Sequence, residues 1–175
     1  ESSMEHPLLL SNGPDTPEID RWVQRQISQN GERLNLLRKK LWYGVKWQRN
    51  DRVLVIGARS LLWVIDPLSA VPEGGVTIFC NEDKYQTRIK SQLDLIDPII
   101  RPLITHGNYD AINKLPKNYQ FEWIGGRLSP QEIIQPEINL LWESLSQRST
   151  QNTELRLLIS YPKIGPAEAL LQLLI

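Results

Sequence analysis

From position 51 onward, short continuously apolar runs alternate with segments of helical period. The runs predict strands at Val53–Ile56, Val76–Cys80, Pro102–Thr105, Gln120–Ile124 and Leu155–Ser160. Between and after them, helical stretches are predicted at Ser60–Val71, Lys84–Ile96, Asp110–Leu115, Pro130–Arg148 and Pro166–Leu173. Strands without polar alternation, each followed by a helix, imply a parallel sheet covered on both faces. Right-handed crossovers make such a sheet doubly wound. Asp66-Pro67 is expected to bend or divide the first crossover helix, because proline disfavours helix at the preceding residue.

The first fifty residues follow another pattern. Residues 1–15 have the composition of a connecting arm, with Ser11-Asn-Gly-Pro-Asp15 and an apolar patch at Leu8–Leu10. Thr16-Pro17-Glu18 reads as a helix start: a hydroxyl cap, a proline in the first turn and an acid near the positive end of the dipole. Ile19, Trp22, Val23 and Ile27 then share one face, and Asn30-Gly31 ends the helix. A second helix is expected from about Glu32 to Val45, with Leu34, Leu37, Leu41 and Val45 on its apolar side. The expected division is residues 1–50, an arm and two helices packing on the core, and residues 51–175, the α/β domain.

Composition narrows the partners. Twenty basic and twenty acidic residues cancel, so no overall field draws the chain to nucleic acid or an anionic membrane. No apolar run approaches the roughly 18 residues of a membrane helix. Cys80 is the only cysteine, which excludes an intrachain disulfide and fits a reducing compartment. With no secretory signal ahead of the domain, the expected location is the cytoplasm. The opening Glu1-Ser-Ser-Met and the apolar close at Leu170–Ile175 read as the ends of an excerpt from a longer chain.

The candidate chemistry lies at the predicted carboxyl ends of the strands, where α/β domains bind ligands. Gly57 follows the first strand in Gly57-Ala58-Arg59-Ser60, where a glycine lets a ligand approach the backbone or simply makes a tight turn. Arg59 occupies a position that is usually small and suits an anionic ligand. Asn81-Glu82 follow the second strand; a carboxylate there holds ribose hydroxyls, or else caps the next helix. Ile124-Gly125-Gly126-Arg127 reads as a loop after the fourth strand, with the glycines leaving room for a substrate or cofactor and Arg127 gripping an anion, or else with two glycines making a sharp turn. His106 lacks cysteine or histidine neighbours, so no metal site is expected. Trp42, Tyr43 and Trp47 among Arg38, Lys39, Lys40, Lys46 and Arg49 fit single-stranded nucleic acid, or an amphipathic helix packing its tryptophans. A Walker loop and a Gly-x-Ser-x-Gly elbow are both missing from the sequence.

The order strand, glycine, helix, strand, acid over residues 51–175 resembles the core of class I S-adenosylmethionine-dependent methyltransferases. The resemblance implies an α/β, Rossmann-like three-layer sandwich with an N-terminal helical extension. It implies S-adenosylmethionine as cofactor, with Gly57, Ala58 and Arg59 at the methionine end, Glu82 at the ribose, and Asn81 and Gly125 beside them. Val55 stands where that family often carries an acid, and Trp123-Ile-Gly-Gly126 replaces its acidic or Asn-Pro-Pro motif. Arg21-Trp-Val-Gln-Arg25, Leu41-Trp-Tyr-Gly44, Asp51–Ser60 and Gln120–Gly126 are together similar to the carboxyl-terminal extension of cyanobacterial AAA-type ATPases of replication-associated recombination. That likeness implies an accessory domain, catalytically degenerate or active in methyl transfer, whose partners are an ATPase region of the same chain and DNA.

Overall fold

The computed structural model describes residues 21, 22, 25 and 35–159. The arm, the start of the first helix, the break at Asn30-Gly31 and the helix over Pro166–Leu173 lie outside these residues. Residues 35–41 are helical (α1), and Gly44, at φ 72°, turns the chain out of them. This helix therefore stops short of Val45, because the left-handed conformation that glycine accepts ends it.

Five strands follow: β1 (Arg52–Ile56), β2 (Gly75–Cys80), β3 (Leu103–His106), β4 (Phe121–Leu128) and β5 (Ser149–Ile159). They form one sheet in the order β3-β2-β1-β4-β5, and every pairing is parallel. Four α-helices lie between them: α2 (Ile65–Ala70), α3 (Asp83–Gln92), α4 (Pro130–Ile134) and α5 (Ile138–Gln147), with 3-10 turns at Leu61–Trp63, Leu93–Leu95, Pro98–Ile100 and Tyr109–Lys114. The fold is thus mixed α/β with a wholly parallel sheet.

Strand alternation divides the core. Val53 and Val55 face one layer with Leu41, Trp42, Leu61, Leu62, Ile78 and Ile89, while Leu54 and Ile56 face the other with Phe79, Ile112, Phe121 and Leu141. Both faces of β1 are buried, which is why its sequence is apolar throughout.

Prolines set the helix boundaries. Rather than one helix over Pro130–Arg148, α4 ends before Pro136, with Gln135 extended at ψ 142°. A proline ring would collide with the carbonyl of the preceding turn in a continuous helix. In the first crossover the division falls ahead of Asp66-Pro67, at Val64 (φ −113°), and Pro67 sits within the first turn of α2, where it gives up no helical bond.

Trp42, Trp47 and Trp123 pack against one another. Trp42 and Trp47 lie 5.1 Å apart, and Trp47 and Trp123 5.6 Å apart, between centroids. The Trp123 indole donates to Asp51 Oδ2 at 2.7 Å, and the Gln48 amide donates to the same oxygen at 2.9 Å. Arg38 is buried and pairs with Asp66 at 3.3 Å, tying α1 to α2. From that aromatic and basic stretch Lys39, Lys40, Tyr43, Lys46 and Arg49 are exposed, and of the two roles open to Trp42 and Trp47 the packed one is found, with Trp42 in the core and Trp47 against it.

Candidate functional site

The strand order reverses at β1, so β2 and β4 carry the chain away on opposite sides. In open α/β sheets this switch point leaves a crevice beyond the carboxyl ends of the strands, and ligands bind there. Ile56 pairs with Gly126, which brings Gly57 beside Arg127 as both strands end. Gly57 has φ +67°, and a Cβ on it would meet the Arg127 carbonyl oxygen at 2.0 Å. The glycine is therefore required by strand packing as well as by the turn.

A cleft of about 190 Å³ opens at this point, lined by Gly57, Arg59, Asn81, Glu82, Tyr85, Arg127, Ser129 and Glu132. Of the residues expected to hold a cofactor, Gly57, Arg59, Asn81 and Glu82 are brought together here. Ala58 is buried and does not line the cleft. Gly125 is also elsewhere. Gly125 and Gly126 continue β4 instead of forming a loop, and pair with Val55 and Ile56. A Cβ on Gly125 would sit 2.2 Å from the Trp42 ring, and one on Gly126 2.1 Å from the Ile56 carbonyl oxygen. Both glycines are thus explained by packing. Arg127, the residue expected to grip an anion, lines the cleft; Ser129 and Glu132 reach it because β4 runs to Leu128, with a Ser-Pro-x-Glu capping pattern as their signal, and Tyr85 reaches it from α3.

The acids of the cleft are already engaged. Glu132 Oε2 accepts from the Ser129 amide at 2.7 Å and from its hydroxyl at 2.8 Å, completing a capping box at the start of α4. Its Oε1 accepts from Asn81 Nδ2 at 3.1 Å. Glu82, at the start of α3, pairs with Lys84 at 2.5 Å, which raises the lysine above its usual range. That pair is well exposed and opens at little cost.

The cations set the character of the site. The Arg59 guanidinium lies over the Tyr85 ring, 5.4 Å from its centroid. Among the described residues no carboxylate forms an ion pair with Arg59. Arg127 is held below its ordinary range by burial and then by the nearby positive charge of Arg59, which Glu132 partly offsets. His106 ends β3 and pairs with Asp83 at 2.6 Å, outside the cleft lining. Among the described residues no three ligating side chains gather as a metal site, and no helix is long and apolar enough to cross a membrane.

No protein-family model matches the sequence, and no curated protein matches it. Solved structures do. A precorrin-6y C5,15-methyltransferase from Geobacter metallireducens superposes with a TM-score of 0.55 at 14% identity, over 70% of this chain and 60% of that one. The fold is that of the Rossmann-like class I methyltransferases. Two further methyltransferase-fold neighbours are a putative O-methyltransferase from Klebsiella pneumoniae (TM-score 0.56, 15% identity, 85% of this chain and 67% of that) and an O-methyltransferase from Bacillus cereus in complex with SAH (0.56, 15%, 83% and 67%). The chain spans 60% of the length of the precorrin enzyme.

Proposed function

We propose that this chain is a methyltransferase-type accessory domain of an AAA-type ATPase acting in DNA replication, recombination or repair, and that it has lost methyl transfer. The convergence of Arg59 and Arg127 on the cleft carries the second half of this reading. S-adenosylmethionine brings a sulfonium and an ammonium, and a single carboxylate offsets only one of them. Two unit positive charges about 5 Å apart repel by about 3 kcal/mol at an effective dielectric near 20. At the end of β4, the expected acidic motif is replaced by two glycines packed under Trp42 and against Ile56, followed by a cation. The ATPase setting is supported by the sequence resemblance over Arg21–Arg25, Leu41–Gly44, Asp51–Ser60 and Gln120–Gly126. In this setting DNA contact runs through the exposed Lys39, Lys40, Lys46 and Arg49 to phosphates, and weakens steeply with salt.

One observation favours an active S-adenosylmethionine-dependent methyltransferase instead. The cleft is open, with Glu82 on its wall, while Leu61 and Trp63 are buried in the core and do not fill it. Calorimetric titration with S-adenosylmethionine and S-adenosylhomocysteine, with Glu82→Ala as control, separates the readings. Absence of binding at millimolar ligand is expected. Binding that Glu82→Ala abolishes would place the ribose at Glu82 and overturn the degenerate reading.

A further inference from the structure

We propose that the cleft at the β1–β4 switch point binds the phosphate group of a nucleotide, gripped between the guanidinium groups of Arg59 and Arg127. The inference rests on reading the cleft as a retained ligand site that no longer serves methyl transfer. Its starting point is position. Arg59 leaves the end of β1 two residues after Gly57, and Arg127 lies in β4 one residue past the Ile56–Gly126 pair. The two cations thus flank the crevice where this class of sheet receives ligands.

The charge balance of the lining follows. Glu132 has an oxygen on Ser129 and an oxygen on Asn81, which fixes it in the wall of the cleft, and its negative charge offsets part of the positive charge at Arg127. Arg59 is steadied on the Tyr85 ring and makes no ion pair among the described residues. Burial, and after it the nearby charge of Arg59, holds Arg127 below its ordinary range, and a bound dianion converts the repulsion between the two cations into attraction. A phosphate offers several acceptor oxygens to two planar donor forks, whereas a lone carboxylate engages one fork well.

Glu82 extends the match from phosphate to nucleotide. It is an acceptor-only carboxylate on the same cleft, held by nothing more than the exposed Lys84. Released from Lys84, it accepts from the two hydroxyls of a ribose. A cleft lined by one such acceptor and two cations offers a partner to each end of a ribose 5′-phosphate.

Calorimetric titrations of the 175-residue chain with AMP, adenosine, inorganic phosphate and S-adenosylmethionine test this. AMP is expected to bind more tightly than adenosine by about tenfold or more, with phosphate competing. Arg127→Gln and Arg59→Gln are each expected to weaken AMP by about tenfold while leaving adenosine unchanged. Thermal melts of both variants identify any loss of fold, and the partly exposed Arg59 keeps the test open if Arg127→Gln unfolds. Equal affinity for AMP and adenosine, no AMP binding, or AMP binding that survives both substitutions would each overturn the phosphate assignment. Absence of binding by both AMP and S-adenosylmethionine defeats this inference alone, and the degenerate-domain reading stands. Binding of S-adenosylmethionine without AMP defeats both.

Discussion

Arg148 offers the sharpest test of how the fold is held. Its side chain is buried at the end of α5, and its guanidinium reaches into the segment that follows β3. Nη2 donates to the carbonyls of Asn113 and Leu115, each at 2.7 Å; Nη1 donates to Pro116 O and, at 3.4 Å, to Tyr119 O. Replacing it by methionine keeps an unbranched apolar stem, though a shorter one, and removes every donor. The Leu115 bond is wholly buried, and the other three are partly open to water. An orphaned buried acceptor costs about 1–3 kcal/mol, and a re-solvated one costs far less. Part of the loss is returned because a buried guanidinium no longer has to be desolvated. The net destabilisation is therefore about 1–3 kcal/mol, set mainly by Leu115. With a urea m-value of about 2 kcal/mol/M, the midpoint falls by about 0.5–1.5 M. Trypsin cleavage at Lys114 and Lys117, which are exposed in that segment, should accelerate in parallel. A midpoint shift below about 0.3 M with unchanged cleavage would refute the reasoning, since it would mean water replaces the guanidinium without penalty.

Two glycines and the buried cysteine give further outcomes. Gly57→Ala places a Cβ at φ +67° and 2.0 Å from the Arg127 carbonyl oxygen, so it should cost about 2 kcal/mol or more and lower the melting temperature. Gly125→Ala drives a methyl to 2.2 Å from the Trp42 ring; displacement of the ring should red-shift tryptophan emission and cost about 1–3 kcal/mol. Burial pushes the Cys80 thiol up to about 11 from 9.0, so alkylation of the native chain at pH 8 should be slow until denaturant is added. Because the folded value is the higher one, this group stabilises the fold fully below pH 9 and loses that contribution as pH rises toward 11. Chemical denaturation at pH 8 and pH 11 should therefore show a lower midpoint at the higher pH, and Cys80→Ala should reduce that difference.

The sheet was legible because β1 and β2 are buried on both faces and so read as unbroken apolar runs. Their boundaries agree with the expected ones to within a residue. β4 was misread at Gly125-Gly126, since two glycines signal a turn unless a tryptophan from elsewhere occupies the space of their missing side chains. No local pattern announces that Trp42, more than eighty positions earlier, fills it. β5 begins six residues ahead of its expected start because Ser149–Glu154 is polar and sits at the sheet edge, where burial does not enforce an apolar pattern. The site was half legible. Gly57, Arg59, Asn81 and Glu82 follow strand ends that the sequence marks, and Arg127 stands out as a cation after the glycine pair, whereas Ser129 and Glu132 depend on where β4 stops.

The Asp51–Trp123 hydrogen bond joins positions 72 apart in the chain. It forms only when β4 docks against β1, an event that must close the whole β1–β2–β3 segment into a loop. Loop closure of that span carries an entropic toll that no local contact repays in advance, so this docking belongs to the slow part of folding. β1 and β2, whose paired residues Arg52 and Gly75 lie much closer in sequence, are free to associate earlier. Trp123, tilted against Trp47 and bonded to Asp51, consequently acts as a built-in clock hand. Its fluorescence changes at the moment the two halves of the sheet become one, and the cleft between Gly57 and Arg127 comes into existence in that same step.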